Sequence, residues 1–157
     1  MNFRIEFLLN NNTVVEIRQV MNEGGKLRDQ LNDLYCLSCK LVLESDGSHW
    51  EIEDELPVLV SRFCLNSMVE LKERGRSSYS YFELNGELKL ELKGSNVLIY
   101  GDFVEALSVD HEALKTCFEN IGHMSIAFLQ MLHASKYDPD LEMIRQALDN
   151  FKYHIRS

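Results

Sequence analysis

The stretch "ELNGELKLELKGSNVLIYGDF", residues 83 to 103, constrains this chain most. Leu88, Leu90 and Leu92 alternate with Glu87, Lys89, Glu91 and Lys93. A strict period of two places the leucines on one face of a strand and the charges on the other. Asn85-Gly86 before it is a short-hairpin signal, because such a turn favours positive φ at both central residues. "GSN" turns the chain again, and "VLIYGDF" reads as the next strand. With "SSYSYFEL" ahead of Asn85, the segment is expected to be an antiparallel meander with one wet face.

The rest of the chain repeats local pairing and then changes period. Phe3, Ile5, Phe7 and Leu9 alternate with Arg4, Glu6 and Leu8, "NNN" at 10 to 12 turns, and "TVVEIRQV" is expected as the returning strand. "MNEGGK" reads as a loop and "LRDQLNDLY" as a short helix with Leu27, Leu31 and Leu34 on one side. "CKLVLES" and "HWEIE" form a second expected hairpin across "DGS". Helical spacing then appears in "DELPVLVSRFCLNSMVELKERG", with Leu56, Leu59, Val60, Phe63, Met68 and Leu71 in one stripe. Asp54 and Glu55 suit its N-terminal end, Pro57 its first turn, and Gly75 its stop. Two further helices are expected: one after the cap Asp110, one after Asp138-Pro139. No βαβ rhythm occurs. The reading is a single α+β domain over 1–157, an antiparallel β-sheet of hairpins and a meander packed with about three main helices on one face.

Charge limits the function classes. The chain carries 25 acidic and 16 basic residues, a formal charge of −9. A nucleic-acid binder needs a basic stripe to displace counterions, and an anionic membrane surface attracts basic patches, so neither partner is expected. Arg4 and Glu6 interrupt the apolar N-terminus, no long apolar run follows, and a cytoplasmic location with reduced thiols is expected.

Little looks like chemistry. Cys36 and Cys39 form one C-x2-C pair, with His49 and Trp50 close behind. A structural zinc site needs four converging ligands, usually two pairs, and no second pair exists. A redox pair belongs at a helix N-terminus, whereas this one runs into an expected strand. No HExxH, GxSxG, P-loop or GxGxxG is present. No catalytic residue, metal or cofactor is expected. Two features suit a partner surface instead. Glu51, Glu53, Asp54 and Glu55 cluster in "HWEIEDELP", and such an acidic patch would take a basic partner; its plainer reading is a solvated strand face plus helix-start acids. Tyr79 and Tyr81 share one face of their strand, opposite Phe82 and Leu84. If Phe82 and Leu84 are core, the tyrosines face a partner; otherwise they cover the other face of the sheet.

The segment "HWEIEDELPVLVSRFCLNSMVELKERGRSSYSYFELNGELKLELKGSNVLIYGD", followed by "FLQML" in a long helix, resembles bacterial immunity proteins. These neutralise toxin domains of contact-dependent inhibition and related polymorphic toxin systems. The resemblance covers roughly residues 49 to 132 and lies in the order of elements: a tryptophan strand, a helix, an aromatic strand, a "GELKLEL" strand, a short "VLIYGD" strand and a closing helix. It implies a cytoplasmic, non-enzymatic inhibitor of one cognate toxin, often a basic nuclease, and it assigns no binding residue. The alternatives are an enzyme or small-ligand protein with a pocket of no known motif, and an adaptor that forms homodimers through its sheet.

Overall fold

The computed structural model describes residues 1–23, 26–32 and 36–155. Among the described residues, eight strands form two antiparallel four-stranded sheets. The first is built from β1 (Asn2–Leu8), β2 (Val14–Glu16), β3 (Ser38–Ser45) and β4 (Ser48–Glu55), in the order β2-β1-β3-β4. The second runs β5 (Arg76–Ser80), β6 (Glu87–Lys93), β7 (Asn96–Gly101) and β8 (Leu107–Asp110) in sequence order. The α+β class with antiparallel sheets is therefore as expected, with two sheets where one was anticipated. None of the helices among the described residues is long and apolar enough to cross a membrane.

Local chemistry explains most boundaries. β3 and β4 join through Asp46 and Gly47, both at positive φ (47° and 78°), which matches the twist of a two-residue hairpin. In the first sheet Phe3, Ile5, Phe7, Leu41, Leu43, Trp50 and Ile52 are buried on the inner face. Arg4, Lys40, Glu44, Glu51 and Glu53 lie on the outer one, where Arg4 pairs with Glu44. In the second sheet Tyr79, Leu88, Leu90, Val97 and Ile99 are buried.

The helical stretch 56–74, here α2, begins as one α-helical turn, widens into a π-helical segment at Leu59–Asn66, and ends as the α-helix Ser67–Arg74. Two serines accompany the widening. Ser61 donates to the Pro57 carbonyl at 2.6 Å and Ser67 donates to the Phe63 carbonyl, so side-chain hydroxyls compete with the backbone ladder. Gly75 stops the helix at φ 72°, as expected. Phe63, inside the widened segment, is the hub of the core. Its ring lies 5.7 Å from Trp50, 5.5 Å from Tyr79 and 5.4 Å from Phe118, so one side chain joins both sheets and the next helix. That helix, α3 (His111–Leu132), is capped by Asp110, which accepts from the Ala113 N–H at 2.8 Å. Its Phe128 stacks on Phe7 at 4.9 Å. A short 3-10 turn at Ser135–Tyr137 leads into α4 (Asp138–Ile155), which packs against α3 and α2. Buried side chains form one contiguous core that includes both sheets and all three long helices.

Four expectations change. "TVVEIRQV" pairs only over Val14–Glu16; Ile17–Asn22 is a short helix, α1. Glu16 caps it by accepting from the Arg18 N–H, and Ile17 and Val20 bury one helical face. "LRDQLNDLY" contributes a 3-10 turn at Arg28–Gln30, and its residues 33–35 lie outside the described residues. β8 was not anticipated; Leu107 and Val109 turn inward from it. Asn85-Gly86 does not make a two-residue turn. The flanking strands end at Ser80 and restart at Glu87, with a six-residue loop between.

Candidate protein-docking surface

The run 51–55 divides by strand parity. Glu51 and Glu53 point outward from β4 and are exposed. Lys40, across the pair on β3, lies 3.8 Å from Glu51 and 3.4 Å from Glu53. A hydrogen bond from His49, then the charge of Lys40, holds the Glu51 carboxyl below its ordinary value.

Asp54 takes the opposite face. It shares parity with Trp50 and Ile52, so it points into the core and is 0% exposed. Four donors converge on its two oxygens. Oδ2 accepts from the Tyr79 hydroxyl and from the Phe82 N–H at 2.8 Å. Oδ1 accepts from the N–H groups of Glu55 at 2.9 Å and Glu83 at 3.1 Å. A buried carboxylate is costly unless its lone pairs are filled, and neutral donors fill these. Burial, and then the bond to Asp54, push the Tyr79 hydroxyl far above its ordinary value. Tyr81 is buried as well; it donates to the Asp102 carbonyl at 2.7 Å, and burial raises it to about 12.

Three of the six residues expected on a partner surface therefore move inside. Asp54, Tyr79 and Tyr81 are core groups, and Phe82 and Leu84 are the exposed ones. The alternation of β5 stops at Ser80, so Phe82 and Leu84 belong to the loop and not to a strand face. Glu55 is intermediate. Desolvation, followed by the charges of Asp140, Glu83 and Asp54, raises its carboxyl, and its Oε2 is buried without a hydrogen-bond partner.

What Asp54 holds is loop 81–86. The Tyr81 N–H closes it on the Gly86 carbonyl at 3.1 Å. Glu83 anchors it further by accepting from the Ser38 hydroxyl and from the Cys36 thiol at 3.0 Å. A second loop, 102–106, packs beside it. Asp102 exchanges bonds with the Glu87 backbone, donating from its N–H at 3.0 Å and accepting at its carboxylate at 2.9 Å. The Tyr81 ring meets Phe103 edge-on at 5.6 Å, and the Trp50 indole donates to the Glu105 carbonyl at 3.1 Å. Gly101 permits the approach: a Cβ there would lie 2.4 Å from the Glu87 carbonyl oxygen. The two loops form a braced tip. It exposes Phe82 (62%), Leu84 (50%) and Phe103 (68%), with Glu83, Asp102 and Glu105 beside them. Neither loop contains Lys, Arg or His.

No protein-family model, curated protein or solved structure matches this chain.

The cysteine pair sits below the tip. Cys39 is buried on the inner face of β3, and burial drives its thiol far up. Cys36 is half-buried, and desolvation also raises its thiol, so it is held protonated against Glu83. Among the described residues no three His, Cys, Asp or Glu side chains converge to hold a metal ion. The tip presents exposed apolar area and acidic charge. Phe82, Leu84 and Phe103 were not expected in this role; the turn signal at Asn85-Gly86 marked the right place for a different reason.

Proposed function

We propose that this chain is a non-enzymatic, toxin-neutralising immunity protein that binds and blocks a cognate basic toxin domain through the tip formed by loops 81–86 and 102–106. One observation carries the reading: three large apolar side chains are held exposed on hydrogen-bonded loops whose only charged residues are acidic. Exposed aromatic anchors concentrate binding energy, and bracing them in advance lowers the ordering cost of association. The acids speed encounter with a basic partner and oppose docking of the tip on a second copy of itself. Glu51 and Glu53 extend the same field on the outward face of β4. The resemblance of residues 49 to 132 to immunity proteins supports the same class and implies a cytoplasmic location.

The test is co-expression with the toxic C-terminal region encoded by the neighbouring gene. Wild-type chain restores growth, and Phe82→Asp combined with Phe103→Asp abolishes rescue while the protein stays folded by circular dichroism. A verified toxin that kills despite the wild-type chain overturns the reading.

A further inference from the structure

The outward face of the first sheet carries a cavity of about 580 Å³, which Glu83 of the tip lines and which the apolar tip side chains Phe82, Leu84 and Phe103 do not. Its size lies within the range of ordinary small-ligand pockets. Leu8 and Val14 line it, and both are exposed, at 44% and 59%. They are apolar residues on a sheet face otherwise occupied largely by ion pairs. Among the described residues, three carboxylates, Glu6, Glu53 and Glu83, stand around them against one cation, Lys40.

The carboxylates are not equally satisfied. Glu6 has Arg4 at 3.5 Å, and Glu53 has Lys40 at 3.4 Å. Glu83 has no cation within 4 Å among the described residues; it holds only the Ser38 hydroxyl and the Cys36 thiol, both on Oε1. A carboxylate offers about four lone-pair positions, so Oε2 retains acceptor capacity. Both bonds also fix the direction of the carboxylate, which lines the cavity. Burial, and then the charges of Asp140, Glu83 and Asp54, raise the nearby Glu55 carboxyl.

We infer that this cavity receives an arginine side chain from an extended segment of the protein partner, with the guanidinium on Glu83 and Glu53 and the alkyl stem on Leu8 and Val14. Arginine matches both parts of the site. Its stem covers apolar surface while its head stays polar, and its planar fork bonds a carboxylate through two parallel N–H groups. Lys40 sets the limit on the ligand, since it already neutralises part of Glu53 and disfavours a second cation at that end. Identifying the arginine as the partner's rests on the docking reading above; the chemistry of the cavity does not.

The experiment is an NMR titration of the full chain with a blocked peptide of alternating leucine and arginine. The control is the same peptide with citrulline, the neutral isostere, in place of arginine. The arginine peptide shifts the amides of Leu8, Val14, Lys40 and Glu53 saturably, and the citrulline peptide binds about tenfold more weakly or worse. Glu83→Gln weakens the arginine peptide about tenfold. Glu53→Gln, an exposed substitution that spares the tip, weakens it about threefold. Equal binding of the citrulline peptide overturns the inference, as do shifts confined to other residues or no saturable shift at millimolar peptide. If the arginine peptide binds and growth rescue fails, the toxin reading falls and the cavity stands. If rescue works and the peptide does not bind, the cavity falls alone.

Discussion

Glu53 and Asp54 are neighbours in the chain and opposites in environment. Glu53 stands in solvent on the outer face of β4, with 69% of its side chain exposed and a lysine 3.4 Å away. Asp54 is wholly enclosed and has no cation beside it among the described residues; a phenol and three backbone N–H groups satisfy it. The first carboxylate contributes charge to a surface. The second ties β4 to a loop far along the chain and so gives that loop its shape. One carboxylate can therefore be altered with little effect on the fold, and the other cannot.

The largest expected effect breaks that contrast at its buried end. Asp54→Ala leaves a buried hydroxyl and backbone N–H groups without their acceptor and should cost about 3–5 kcal/mol in urea denaturation. Glu53→Ala should stay within about 0.5 kcal/mol. Equal losses would mean that the Asp54 network is not what secures the loop. Next comes Tyr79→Phe, which removes one donor and keeps the ring, at about 1–2 kcal/mol. In that variant the Phe82 and Glu83 amides should exchange faster than those of β6 and β7; uniform acceleration across the chain would count against a local latch.

Glu55 sharpens the comparison through pH. Its folded pKa is raised, so its protonated form is favoured in the fold. Its contribution to stability is fully present below the unfolded value and is lost as pH rises through the raised folded value. Glu55→Gln should therefore raise the melting temperature at neutral pH, and the gain should disappear in acid. Glu51 runs the other way: its folded pKa is lowered, so its contribution is present above the unfolded value and fades as pH falls through the folded one. A Glu55→Gln gain that persists in acid would remove the electrostatic cause. The smallest expected effect is none: a chelator should leave the melting temperature unchanged, because Cys39 faces the core and Cys36 is engaged by Glu83. A large drop would revive a metal at the cysteine pair.

Much of the fold was legible because alternation and helical stripes are local. Leu88 and Leu90 pair where their spacing placed them, and Gly75 and Asp110 end and begin helices as their chemistry requires. The burial of Asp54 was also legible in principle, since it keeps the parity of Trp50 and Ile52. Its charge instead suggested a helix start, a pull that acts only once the strand has ended. An outward face for Tyr79 and Tyr81 requires the alternation of β5 to run on to Phe82 and Leu84, and the strand ends at Ser80. α1 was hidden by two valines of β2 directly ahead of it. The tip was least legible. Asp54 is 28 and 29 residues from the amides it holds, and no period in a linear chain encodes that meeting.

Trp50 is the sole tryptophan, stacked on Phe63 at one side and bonded to the Glu105 carbonyl at the other. The chain thus carries its own optical reporter at the boundary between core and tip. Its emission should redden when the core opens. It should respond differently when a partner seats on loop 102–106 while the core stays closed. One unlabelled protein can thereby tell unfolding from docking in a single cuvette.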